Sequence, residues 1–172
     1  MAFPTSTIDS SRTTTVAAPA AHWPFSSQAK GAKEWDPILD ARELLRKAAR
    51  LPYEAAKARK WRSRFAEHAA AARSALNAHV RQAEGEDSAV AGLAGEPRLA
   101  RAVERQIEEH ERLLAEAACL AEDARQPAAA DIWRVIELGE RAIRLEISLA
   151  RHHNRLASLL HESVNRELGG EG

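Results

Sequence analysis

The chain is poor in several things, and each shortage excludes a class of protein. It has one cysteine, Cys119, in 172 residues, so no intrachain disulfide framework can form. Lys+Arg and Asp+Glu number 25 each, and a net charge of zero lacks the basic excess of a dedicated nucleic-acid or anionic-membrane binder. No apolar run approaches the roughly 18–20 residues of a membrane-spanning helix. No segment alternates apolar and polar residues with β-branched enrichment, so no strand is expected. Cys119 lies among alanines and leucines without a basic sequence neighbour, and a small buried hydrophobe is the expectation there. A basic start and an apolar core, the marks of a secretory signal, are also missing from the N-terminus. Its Ser/Thr-rich beginning carries Asp9 and a single arginine before Lys30, which suits a transit segment poorly. A cytoplasmic protein is expected.

What is present is helix-forming. Alanine, arginine, leucine and glutamate dominate after residue 35. Residues 1–35 read as an irregular arm, because runs such as Thr13-Thr14-Thr15 and Ala17-Ala18-Pro19-Ala20 offer too little apolar area to order themselves. Trp23, Phe25 and Trp35 stand out from that background. They would anchor the arm either to the rest of the chain or to a protein partner.

Residues 36–172 read as one domain of four helices. The first begins at Pro37 after the cap Asp36 and carries the stripe Ile38, Ala41, Leu45, Ala48, with Pro52 ending it. The second runs from about Tyr53 to Ala83 with the stripe Phe65, Ala69, Ala72, Leu76, His79. A glycine-containing interruption spans Gly85 to Pro97. The third runs from Pro97 to about Arg125 with Leu99, Val103, Gln106, His110, Leu113, Ala117, Leu120. Pro127 breaks it, and Asp131 is placed to cap a fourth helix that reaches Leu168, where Gly169-Gly170 end it. That helix carries Val135, Leu138, Ala142, Leu145, Leu149, His152, Leu156, Leu159. At 1.5 Å per residue it would span about 57 Å, so it should overhang its neighbours or break at Gly139. Heptad-like spacing favours nearly antiparallel packing, and the expected fold is all-α, an up-down four-helix bundle with a long C-terminal helix.

Three histidines occupy positions that leucines usually fill: His79, His110 and His152, each on the inward stripe of a different helix. Imidazoles converging inside a bundle are metal ligands or buried polar groups that need partners. A dinuclear iron site also needs bridging carboxylates about one turn away on the same face. Those positions are Ala83, Leu114, Leu156 and Ala157. A mononuclear three-histidine site, completed by Glu84 or Glu146, is chemically reasonable.

The chain resembles the hemerythrin-like (HHE cation-binding) family over residues 36–172. The resemblance rests on Leu76-Asn77-Ala78-His79-Val80 followed by Glu84-Gly85-Glu86-Asp87, on Pro97-Arg98-Leu99, on Glu109-His110-Glu111-Arg112-Leu113-Leu114, and on His152 through Leu159-Leu160 to Gly169-Gly170. It implies a hemerythrin-like bundle with iron ligands at His79, His110 and His152, used for dioxygen or redox sensing. The chain departs from the family where the first-helix histidine falls on Ala41 and the bridging acids fall on Ala83 and on Leu156 or Ala157; a one-residue shift would bring in Glu84. Two functions are therefore expected as alternatives. One is a non-enzymatic binding or structural subunit that has lost the full di-iron site. The other is a working module holding mono- or dinuclear iron, with a metal-free state equally open. Partners would be a protein engaged by the aromatic arm, or a second copy through the fourth helix, whose faces carry Arg134, Glu137, Arg141, Arg144, Arg151 and Arg155.

Overall fold

The computed structural model describes residues 36–86, 88–94 and 97–167. Trp23, Phe25, Trp35 and the Gly169-Gly170 terminator lie outside the described residues. Five α-helices and no strand occur among them: α1 (Pro37–Ala49), α2 (Ala58–Glu84), α3 (Ala89–Ala94), α4 (Ala100–Asp123) and α5 (Ile132–Glu167). Single turns of 3-10 helix at Ala55–Lys57 and Pro127–Ala130 lead into α2 and α5. No helix among the described residues is long and apolar enough to cross a membrane.

Local chemistry sets the helix starts. The Asp36 carboxylate accepts from the Ile38 backbone N–H at 3.1 Å, with Pro37 opening the first turn. Asp131 does the same for α5, accepting from the Trp133 N–H at 2.9 Å. Pro52 does interrupt the chain between α1 and α2, and the second helix starts at Ala58 rather than near Tyr53. α5 runs 36 residues without a break at Gly139.

The long helices pack in a ring, α1 on α2, α2 on α4, α4 on α5 and α5 on α1. Every residue of the four expected stripes is buried. The main core joins Ile38, Ala41, Leu45, Phe65, Leu76, Leu113, Leu120, Leu138 and Leu149 with the alanines between them. Small side chains at Ala41, Ala69, Ala72, Ala117 and Ala142, all nearly inaccessible, let the backbones approach closely. At the end far from the histidines, Trp61 stacks near Phe65 and edge-on to Tyr53, and its indole N–H donates to the Leu51 carbonyl.

α3 was not expected from sequence. Its six residues sit inside the glycine-containing stretch, too short to show a period. Val90 and Leu93 are nonetheless buried, and α3 packs on α2, α4 and α5. Those are the helices that carry the three histidines.

Cys119 is exposed, contrary to the buried position expected from its sequence neighbours. It falls on the outer side of α4, between the inward residues Ala117 and Leu120. It shares a surface groove with Arg112, Arg141 and Arg144; two of these come from α5 and are invisible to a reading of the local sequence.

Candidate metal centre

The histidines form one layer of the helical bundle. On each helix the main core ends at a leucine three residues from the imidazole: Leu76 before His79, Leu113 after His110 and Leu149 before His152. Four residues beyond each imidazole, away from that core, come Ala83, Gln106 and Leu156, all buried. Further along stand Val103, Leu160 and the α3 residues Val90 and Leu93. The imidazoles are thus enclosed between the main core and a second buried layer that is apolar except for Gln106 and Ser163. His110 and His152 are inaccessible and His79 is 8% exposed.

The ring nitrogens converge. His110 Nε2 lies 3.0 Å from His152 Nε2, and His79 Nε2 lies 3.3 Å from His152 Nε2. The rings meet edge-on rather than stacked, at interplanar angles of 61° to 90°. One ligand atom from each of the three lies within 4.8 Å of the others.

Carboxylates hold the outer edges of two rings. His110 Nδ1 is 2.7 Å from Glu84 Oε1, and His152 Nδ1 is 3.1 Å from Glu109 Oε2. An ionised carboxylate only accepts, so each Nδ1 carries the proton and donates it. The Nε2 lone pairs of His110 and His152 are then left facing each other across 3.0 Å. Two lone pairs at that distance repel unless a proton or another cation stands between them.

A proton on His79 or His152 is disfavoured. Burial, reinforced by the neighbouring imidazoles, holds His79 down to about 3. Burial also lowers His152 to about 4, although the hydrogen bond to Glu109 works in the opposite direction. Burial would raise the Glu109 carboxyl, but hydrogen bonds from Arg155 and His152 outweigh it and keep the group below its ordinary value. Arg155 donates to Glu109 Oε1, and Arg112 Nη2 reaches the same oxygen at 3.1 Å.

Of the five residues singled out from sequence, the fold gathers four. His79, His110 and His152 converge, and Glu84 touches the outer nitrogen of His110 rather than the converging edge. Glu146 stands elsewhere: its Oε1 is held by Arg42 at 3.0 Å and Arg46 at 2.7 Å, tying α5 to α1. Sequence reasoning missed the part played by Glu109. On a regular helix it points away from its neighbour His110, yet it crosses to His152 on α5. It also missed Gln106, whose side-chain Oε1 is fully buried without a hydrogen-bond partner. An amide on the inward stripe one turn from His110 was the available signal. The positions where the resemblance would need further ligands, Ala41, Ala83 and Leu156, are apolar and buried.

No family model, no curated protein and no solved structure matches the chain.

Proposed function

We propose that the four long helices form an up-down bundle, hemerythrin-like in layout, that binds one divalent first-row transition-metal ion through the Nε2 atoms of His79, His110 and His152. The observation that carries this reading is the pair of Nε2 atoms 3.0 Å apart whose opposite nitrogens are committed to carboxylates. The spacing also suits a metal. At a Zn–N distance of about 2.05 Å, a tetrahedral angle separates two ligand nitrogens by about 3.3 Å, and a near-right angle by about 3.0 Å. The separations of His152 Nε2 from His79 Nε2 and from His110 Nε2, 3.3 Å and 3.0 Å, lie on these values. Glu84 and Glu109 supply the outer hydrogen bonds that usually fix the tautomer and raise the basicity of a metal-bound imidazole.

Three neutral imidazoles suit Zn²⁺, Fe²⁺, Ni²⁺ or Cu²⁺ better than Mg²⁺ or Ca²⁺. A dinuclear centre is disfavoured, because nothing in the adjoining layer of Ala83, Gln106 and Leu156 can bridge two cations. The orphaned Gln106 oxygen, one turn from His110, is the group best placed to meet a fourth ligand such as water. The carboxylates beside the imidazoles, Glu84 and Glu109, are engaged with the outer ring nitrogens, so binding for sensing or storage fits better than turnover.

A second reading keeps the bundle as a metal-free structural or interaction subunit. It is favoured by the same 3.0 Å spacing, which is a good hydrogen-bond length if one imidazole gives up its carboxylate-facing proton.

Titration of the metal-free chain with Zn²⁺, followed by metal analysis after desalting, decides between them. One bound ion per chain, lost in His110→Ala and His152→Ala, supports the metal module. No retained ion leaves the structural reading.

A further inference from the structure

α5 carries a second apolar stripe, on its outside. Ile132, Ile136, Ile143 and Ile147 are each about half exposed, and Trp133 beside them is 75% exposed. At 100° per residue the four isoleucines and Gly139 fall within about 80° of arc, a single narrow face. A row of large apolar side chains in open solvent marks a contact surface.

The order of the stripe identifies its partner. The spacings between the isoleucines are four, seven and four, so the pattern reads the same in both directions. Its midpoint lies between Gly139 and Glu140. A second α5 laid antiparallel on the first places Ile132 against Ile147 and Ile136 against Ile143, twice over, with the two Gly139 residues at the crossing. A self-complementary, two-fold contact, in which each residue i meets j and j meets i, uses such a palindromic pattern in full.

Gly139 agrees. Glycine is the poorest helix former after proline, yet it sits inside a 36-residue helix. A Cβ built there would meet nothing within 4 Å, so the single chain has no packing need for it. Close approach of another helix at the crossing supplies one. Charge agrees as well: Glu140 and Arg144 flank the stripe as a 3.4 Å pair, and the antiparallel operator sets each Arg144 within side-chain reach of Glu140 of the second copy.

We infer that the chain forms a two-fold homodimer through the outer face of α5, centred on Gly139. The contact is separate from the histidine layer, which occupies the inner side of the same helix.

Sedimentation equilibrium of the full chain across micromolar concentrations tests this. The wild type should sediment at twice the chain mass. Ile136→Glu and Gly139→Leu should each raise the dimer dissociation constant at least 100-fold with unchanged far-ultraviolet circular dichroism. In a Cys119→Ser background, Glu140→Cys at the two-fold should cross-link on oxidation, whereas Ile132→Cys should not, its two copies standing about 22 Å apart along the helices. A dimer indifferent to Ile136→Glu, or one in which Ile132→Cys cross-links, overturns the proposal. So does a wild type that stays monomeric. In that case, loss of monomer stability in Ile136→Glu would point to cover by the chain's own N-terminal residues, and unchanged stability to a different protein.

Discussion

At the scale of single residues, the distinction that matters is between nitrogens that face inward and groups that hold them in place. His79, His110 and His152 could be picked out from sequence because each replaces an apolar residue on a clear stripe. Of the groups around them Glu84 was picked out as well, and it meets His110; Glu109 was not, since its partner lies on another helix. Glu109 reaches His152 from α4, and Glu146 turns to Arg42 and Arg46. Glu109→Gln should therefore weaken Zn²⁺ binding by about 10–100-fold, as loss of an outer hydrogen bond to a ligand imidazole does. Glu146→Gln should leave it unchanged; competition with a chromophoric chelator measures both. The imidazoles also fix how stability varies with pH. In the unfolded chain His79 and His152 titrate near 6.5, whereas burial holds them at about 3 and about 4 in the fold. Below pH 6.5 the unfolded state takes up protons that the folded state refuses, so stability falls as pH falls. The expected loss is at most about 1.4 kcal/mol per pH unit for each group, ending near pH 4 for His152 and near pH 3 for His79. Urea unfolding of the metal-free chain between pH 7 and pH 4.5 should show it, and His152→Leu should flatten the slope.

At the scale of elements, strong periodicity carried the sequence reading and short pieces defeated it. All four long stripes are buried as expected, because a 3.6-residue period over several turns leaves one way to hide apolar area. Helix ends were harder to place. The turn at Ala55–Lys57 separates Tyr53 from α2, and proline and capping signals locate a boundary only to within a few residues. α3 was missed because six residues make less than two turns; its helix rests on the Ser88 hydroxyl, which accepts from the Ala91 N–H at 3.0 Å, and on packing against α2, α4 and α5. Its hold on the rest should be correspondingly local. Leu93→Ser should accelerate amide exchange across α3 and the end of α2 while leaving the Trp61–Phe65 end unchanged. Leu113 sits at the boundary between core and histidines with no accessible surface. Leu113→Ala should cost about 2–5 kcal/mol in chemical denaturation, and it should loosen metal binding as His110 loses the neighbour below it. Asp36→Ala should cost about 1 kcal/mol through loss of the α1 cap.

At the scale of the whole molecule, two apolar systems share α5: an inner stripe that closes the core over the imidazoles, and an outer one in solvent. The inner stripe was legible from its period. The outer one was not recognised, because isoleucines scattered among arginines and glutamates read as a charged face. Several of those arginines prove to be engaged within the chain, Arg134 with Glu137, Arg141 with Asp123 and Arg155 with Glu109, which leaves the isoleucines as the outer surface. On the proposed reading metal should act on the whole fold, since its three ligands would come from three helices and a preformed site is absent from the unfolded chain. At a free Zn²⁺ concentration 100 times the dissociation constant the added stability is about 2.7 kcal/mol, a rise of about 5–10 °C in the thermal midpoint for a chain of this size. The most direct test of the account is the metal content of the purified chain after loading and desalting, determined beside His79→Ala, His110→Ala and His152→Ala. The account predicts one divalent ion per wild-type chain and a large loss in every variant. Two ions per chain, or none, would contradict it.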